Sequence, residues 1–152
     1  MENYHFQYCQ KIVVFSKDKT QVLLCKRKGE ADLNGVFSCI GGKMETTDPS
    51  ILEGLQREKN EEVGGDFKIK LYPTYSHNLL FHKKDGNAMI LPYYMAIYES
   101  GEVKLNDEYS EYRWVNLDEL EAFEPKVDCI PEEVRLLRRL EAIQEEGEFV
   151  LI

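Results

Sequence analysis

The sequence predicts an α/β protein in which a mixed β-sheet lies between helices. Three observations point there: β-rich runs flank a short central helix, a second amphipathic helix follows near the end, and turn residues punctuate the runs. The 152 residues suffice for one sizeable core, and no Pro- or Ser-rich linker divides them. One domain over 1–152 is therefore expected.

The elements follow in order. KIVVFS and QVLLCKR are apolar runs separated by KDKT, whose Asp-Lys pair supplies turn chemistry, so they read as a hairpin. Gly35 to Ile40 is a further short strand leading into Gly41-Gly42. The central helix follows Pro49, which suits a first helical position, with Asp48 or Thr47 as its cap. Gly54 inside that helix implies close packing against a strand. FKIKLYP and TYSHNLLFH read as strands, and Asp85-Gly86 is a strong hairpin signal before AMILPYYMAIYE. Pro92 within that last run implies an edge or a bulge. EYRWV is a short strand, LDELEAF a short helix, and PEEVRLLRRLEAI a helix with Pro131 near its start. For GEFVLI, pairing and a free tail both stay open.

The formal charge of -9 argues against a broad electrostatic hold on duplex nucleic acid, while a small basic pocket for a nucleotide remains compatible with it. Cys9, Cys25, Cys39 and Cys129 lack CxxC spacing and read as reduced core thiols. His77 and His82 lack a third ligand at metal spacing. The first residues carry no secretion-signal pattern and no run is long enough to span a bilayer, so the cytoplasm is the expected compartment.

The stretch GGKMETTDPSILEGLQREKNEEVGG carries the chemistry. At about 100° per residue, Glu58, Glu61 and Glu62 project within one sector of the helix. Ile51, Leu52, Leu55 and Val63 occupy the adjoining arc, which sets Glu58 and Glu62 at the border of the buried stripe. Carboxylates crowded there repel one another and require cations. Hard oxygen ligands of this kind suit Mg²⁺ or Mn²⁺. The alternative is a solvated helix face with Glu/Lys pairing.

These residues resemble the Nudix box, in which a glycine and a Glu precede Arg-Glu-apolar-any-Glu-Glu-any-Gly-apolar. Gly42 takes the first glycine, Arg57 and Glu58 the Arg-Glu pair, Glu61 and Glu62 the Glu-Glu pair, and Gly64 the closing glycine. Asp48 stands where the first Glu is expected, with one extra residue in the loop, and Lys59 and Gly65 fill the two apolar positions. Lys59 is expected to pack its stem and send its ammonium to water or an acid.

The resemblance, spanning about Lys11 to Ile143, implies a Nudix-type α/β/α sandwich and a MutT-like pyrophosphohydrolase that uses Mg²⁺ or Mn²⁺. It implies metal contacts from Glu58, Glu61, Glu62, the Gly41 carbonyl and Glu108, the last of these from the loop before EYRWV. Glu58, Arg57 and Glu61 are the expected catalytic residues, with Glu111 read as a surface acid. Arg27 and Lys43 are expected at substrate phosphate, and Asp128 near the base.

The expected substrate is a nucleoside di- or triphosphate or a nucleoside diphosphate derivative, and a homodimer is admissible. The signatures of the ADP-ribose, NADH and coenzyme A hydrolases are missing. A catalytically silent module that senses a nucleotide or binds a protein is the alternative. A relative of isopentenyl-diphosphate isomerase is disfavoured because no convincing Cys and Glu pair is present.

Overall fold

The structure is a computed structural model that describes residues 6–30, 32–143 and 148–152. β1 (Phe6–Phe15) and β2 (Gln21–Arg27) form the expected hairpin, with Lys19 at φ 61° in its turn. β3 (Phe37–Ser38) and β4 (Ile40–Lys43) lead into α1 (Ile51–Val63). β5 (Lys68–His82), β6 (Ala88–Ser100), β7 (Tyr109–Asn116), α2 (Ile130–Glu141) and β8 (Val150–Leu151) complete the described elements.

The strands form an 8-stranded sheet in the order β3-β2-β1-β6-β5-β8, with β4 paired to β1 and β7 to β2. β1 and β6 run parallel and the other strand pairs antiparallel, so the sheet is mixed. Alternation along β1 sends Val13 and Phe15 to one face and Ile12 and Val14 to the other. α2 packs Ile130, Val134 and Leu137 into the core on the first face, and α1 packs Leu55 and Val63 into the core on the second. The result is the expected α/β/α sandwich, each helix burying its apolar stripe against one side of the sheet.

Several local expectations are corrected. Neither Asp48 nor Thr47 caps α1: the cap is Ser50, whose hydroxyl accepts from the Glu53 amide at 3.2 Å and donates to the Glu53 side chain at 2.8 Å. This Ser-x-x-Glu pair outcompetes Asp48, whose carboxylate is taken by Arg57, and it leaves Pro49 outside the helix. The reading of Gly54 holds: an added Cβ would come within 3.1 Å of Asp48 Oδ2 and 3.3 Å of Gln10 Oε1 on β1.

Gly35 to Ile40 is not one strand, because β3 and β4 are separated at Cys39. FKIKLYP and TYSHNLLFH, by contrast, are one strand, β5, whose register shifts between Tyr72 and Ser76 and so accommodates Pro73. Pro92 lies on an interior strand, buried between β1 and β5, rather than at an edge. It pairs with Asn78 of β5 and falls between the Tyr8–Ile90 and Lys11–Tyr93 pairs of the β1 ladder, where its missing N–H is least disruptive.

LDELEAF forms turns, with the Glu119 amide donating to Asn116 O and the Phe123 amide to Glu119 O, both at 3.0 Å. So short a segment, stopped by Pro125, does not repay helix nucleation; burial of Leu120 anchors it instead. The end of the tail does pair: β8 runs antiparallel to β5.

Lys59 reaches neither water nor an acid. It is 0% exposed, and its ammonium donates to the Phe67 carbonyl at 2.8 Å and the Gly64 carbonyl at 3.2 Å. Backbone carbonyls just beyond the helix end carry the partial negative charge that an ammonium satisfies.

Candidate active site

β4 and α1 build the site between them. Gly41 sits at φ 129°, and a Cβ there would fall 2.0 Å from Gln10 O, so only glycine lets β4 lie this close to β1. A Cβ on Gly42 would meet the Glu58 carboxylate at 2.3 Å. The glycine pair therefore gives the helix carboxylates direct access to backbone.

Glu58 and Glu62 are 8% and 2% exposed, on the inner side of α1, while Glu61, one residue before Glu62, keeps about half its side chain (54%) in solvent. Glu62 Oε2 accepts from the Gly41 amide at 2.7 Å and from the Tyr109 hydroxyl at 3.0 Å. Burial raises the Glu62 carboxyl to about 7; Lys11 and the Gly41 N–H oppose that rise, and Glu108 and Glu58 add to it. Glu58 is also raised by burial, against the pull of Arg57.

Arg57 gathers the acids on its side of the helix. Its guanidinium donates to Asp48 at 2.7 and 2.8 Å, to Glu58 at 2.9 Å, to Glu61 at 3.3 Å and to the Lys43 carbonyl at 3.2 Å. Asp48 occupies the place of the first box Glu and holds the same arginine that steadies Glu58. The second cation is Lys11, whose ammonium donates to the Gly41 carbonyl at 3.1 Å. The chain thus supplies two of the cations that the clustered carboxylates require.

Glu108 arrives from a loop tied to α1. The Lys104 and Asn106 amides donate to the Val63 and Glu62 carbonyls at 2.9 and 3.2 Å, which caps the helix and fixes the loop beside it. Asn106 then brackets Glu108 through its side chain at 2.9 and 3.0 Å. Glu111 lies farther along β7, next to Lys26 and Arg113, where a surface acid is expected.

Gly41, Glu58, Glu61, Glu62, Glu108, Arg57, Arg27, Lys43 and Asp128 all line a single cleft of about 1190 Å³. Arg27 faces it while held by Glu30 and placed over the Tyr109 ring at 5.7 Å. Lys43 and Asp128 are exposed at the cleft wall. Sequence reasoning missed Lys11 and Tyr109, which also shape the site. Strand alternation held the signal for Lys11, since period two places it on the inward face with Cys9 and Val13. Tyr93 of β6 carries a hydroxyl 3.4 Å from Cys129 Sγ, just before α2; only the packing of α2 against the sheet brings those two together.

The donors at the carboxylate end are all hard oxygens, which fits Mg²⁺ or Mn²⁺ and not a soft ion. Among the described residues no three His, Cys, Asp or Glu side chains are drawn together as a finished ion-binding group. Glu58 Oε1 accepts from Arg57, and Glu62 Oε2 from Gly41 and Tyr109.

The NUDIX domain model matches residues 10–137. The chain belongs to the NUDIX domain family. Nudix membership supports a pyrophosphohydrolase, and the architecture agrees with solved Nudix structures. A MutT protein from Methanosarcina mazei Go1 is 21% identical with a TM-score of 0.74, over 95% of this chain and 100% of that one. A C. elegans Ap4A hydrolase in a binary complex is 17% identical, TM-score 0.69, over 90% and 96%. The NUDIX domain of Shewanella oneidensis NrtR complexed with ADP ribose is 16% identical, TM-score 0.71, over 91% and 90%. At these identities the structural likeness speaks for the fold. No curated protein matches the sequence. Among the described residues no helix is long and apolar enough to cross a membrane.

Proposed function

We propose that this Nudix chain, acting as one domain, hydrolyses a pyrophosphate bond in a nucleoside di- or triphosphate or a related nucleoside diphosphate derivative, with Mg²⁺ or Mn²⁺. One observation carries the reading: two buried carboxylates, Glu58 and Glu62, line the same cleft as Glu61, Glu108 and the cations Arg27 and Lys43. Glu58, Glu61, Glu62, Glu108 and the Gly41 carbonyl would hold the ion. When bound, it neutralises phosphoryl oxygens and lowers the pKa of bound water.

The chain's own residues do the rest. Arg57 fixes the Glu58 carboxylate, and Glu58 or Glu61 accepts the proton of the attacking water. Arg27, whose Nε and Nη2 are held by Glu30, offers its remaining Nη1 donors, and Lys43 a point charge, to phosphate oxygens. The opposite wall, with Leu91, Met89, Phe81 and Tyr93, offers an apolar surface to the organic part of the substrate, with Asp128 beside it. Partners named for two of the solved relatives, Ap4A and ADP ribose, fall in this class.

The test is a nucleotide-panel hydrolysis assay with Mg²⁺ and Mn²⁺ on the parent and Glu58→Gln. Turnover is expected to fall by about two or more orders of magnitude in the variant while its circular dichroism is unchanged. A parent that binds a nucleotide but cleaves none of the panel would turn the reading to a silent sensing module.

A further inference from the structure

Lys11 sits where a buried charge is hardest to keep. It is 9% exposed, on a strand that alternates with apolar core positions, and it lines the cleft beside the carboxylates. Its ammonium has three donors, and among the described residues the Gly41 carbonyl is its one hydrogen-bond partner, at 3.1 Å. The Gly41 amide meanwhile donates to Glu62 Oε2 at 2.7 Å. One residue of backbone thus joins a fixed positive charge to a buried carboxylate.

We propose that Lys11 is a built-in cation that shares the Gly41–Glu62 site with the divalent ion. It holds the glycine loop and Glu62 together while no ion is bound, and it weakens the grip of the empty cleft on free ion. The Gly41 carbonyl oxygen accepts from the ammonium and is one of the oxygens an ion would use, so the two compete for it. Repulsion between a fixed positive charge and an incoming dication adds to the competition in a buried setting, where charges are poorly screened. Polyphosphate reverses the balance, because its negative oxygens attract ion and ammonium alike and give the two free donors of Lys11 a partner. The ion is therefore taken up together with the nucleotide.

This inference rests on the cleft being a divalent-ion site, and the experiment separates the two. The full chain, Lys11→Met and Lys11→Arg are titrated with Mn²⁺ without nucleotide, following free Mn²⁺ by electron paramagnetic resonance. Thermal midpoints are measured in a chelator. Lys11→Met is expected to bind free Mn²⁺ about tenfold tighter than the parent and to melt lower without ion, while Lys11→Arg keeps the weak parental binding. Equal or weaker Mn²⁺ binding by a folded Lys11→Met overturns the proposal.

Should Lys11→Met fail to fold, ¹⁵N-lysine NMR of the parent decides. Saturating Mg²⁺ with a non-hydrolysable nucleotide must move the Lys11 Nζ signal, and an unmoved signal overturns the proposal. Failure of every chain to take up Mn²⁺, even with nucleotide, would instead bring down the ion reading and this inference with it. A parent that turns over nucleotide with Mn²⁺ while Lys11→Met binds the ion no tighter removes the Lys11 role alone.

Discussion

The Gly41 amide donates to Glu62 Oε2 at 2.7 Å, binding the glycine loop to the last turn of α1. Tyr109 donates to the same oxygen at 3.0 Å, so two separate segments, β4 and β7, converge on one carboxylate of α1. Glu62 is kept in the core by these donors and by the Lys11 charge, against a desolvation cost that pushes its carboxyl up to about 7.

Glu62→Gln follows from that balance. The amide keeps the shape and an acceptor oxygen for Gly41 and Tyr109, and removes a buried charge. The thermal midpoint of the ion-free protein is expected to stay the same or rise, while turnover falls by about two orders of magnitude or more. Calorimetry with a steady-state assay checks this; a strongly lowered midpoint would show that the charge holds the fold together.

The two glycines predict opposite outcomes for the same change. Gly41→Ala puts a Cβ 2.0 Å from the backbone oxygen of Gln10 at positive φ, so denaturant melts should show a loss of about 2 kcal/mol or more. Gly42→Ala meets only the movable end of Glu58, at 2.3 Å. Its stability should change by under about 1 kcal/mol while activity drops steeply, because the displaced group is a carboxylate of the site. Equal stability losses in the two variants would refute the distinction.

Asp48 sets an acid limit. Hydrogen bonds from Arg57 and the Glu45 amide lower its carboxyl to about 2 from an unfolded value of 3.8. A depressed carboxylate contributes stability above its unfolded value and loses it as pH falls through its folded value. The midpoint advantage of the parent over Asp48→Asn should therefore be full at neutral pH and shrink between about pH 4 and pH 2. A gap between the two melting curves that does not vary with pH would exclude the Asp48–Arg57 pair as its source.

Lys59 tests the box position usually filled by an apolar side chain. Lys59→Ala leaves a cavity and two carbonyls without their ammonium, for an expected loss of about 2–4 kcal/mol in urea unfolding. Lys59→Met refills the volume and should recover about half of that loss. Should the two variants be equally unstable, the hydrogen bonds rather than the packing set the contribution.

The spacing in REKNEE was enough to put Glu58 and Glu62 at the inner border of a helix, because side-chain direction repeats with the backbone period. Alternation and turn chemistry likewise made the first hairpin, the Asp85-Gly86 hairpin and the two helices legible. Competition between local options was less legible. Ser50 won the cap from Asp48 because Asp48 was needed by Arg57, nine positions on. LDELEAF became turns because burying Leu120 matters more there than local helical pattern.

What the sequence determined by itself was the order of elements, the family and the crowding of acids on one helix, all of which depend on contacts within a few residues. Only the tertiary structure decided which groups answer those acids. Lys11, Gly41 and Tyr109 come from β1, β4 and β7, and the sheet pairing brings them to Glu62. Hydrogen bonds and charge interactions act across space, so no periodicity along the chain encodes them.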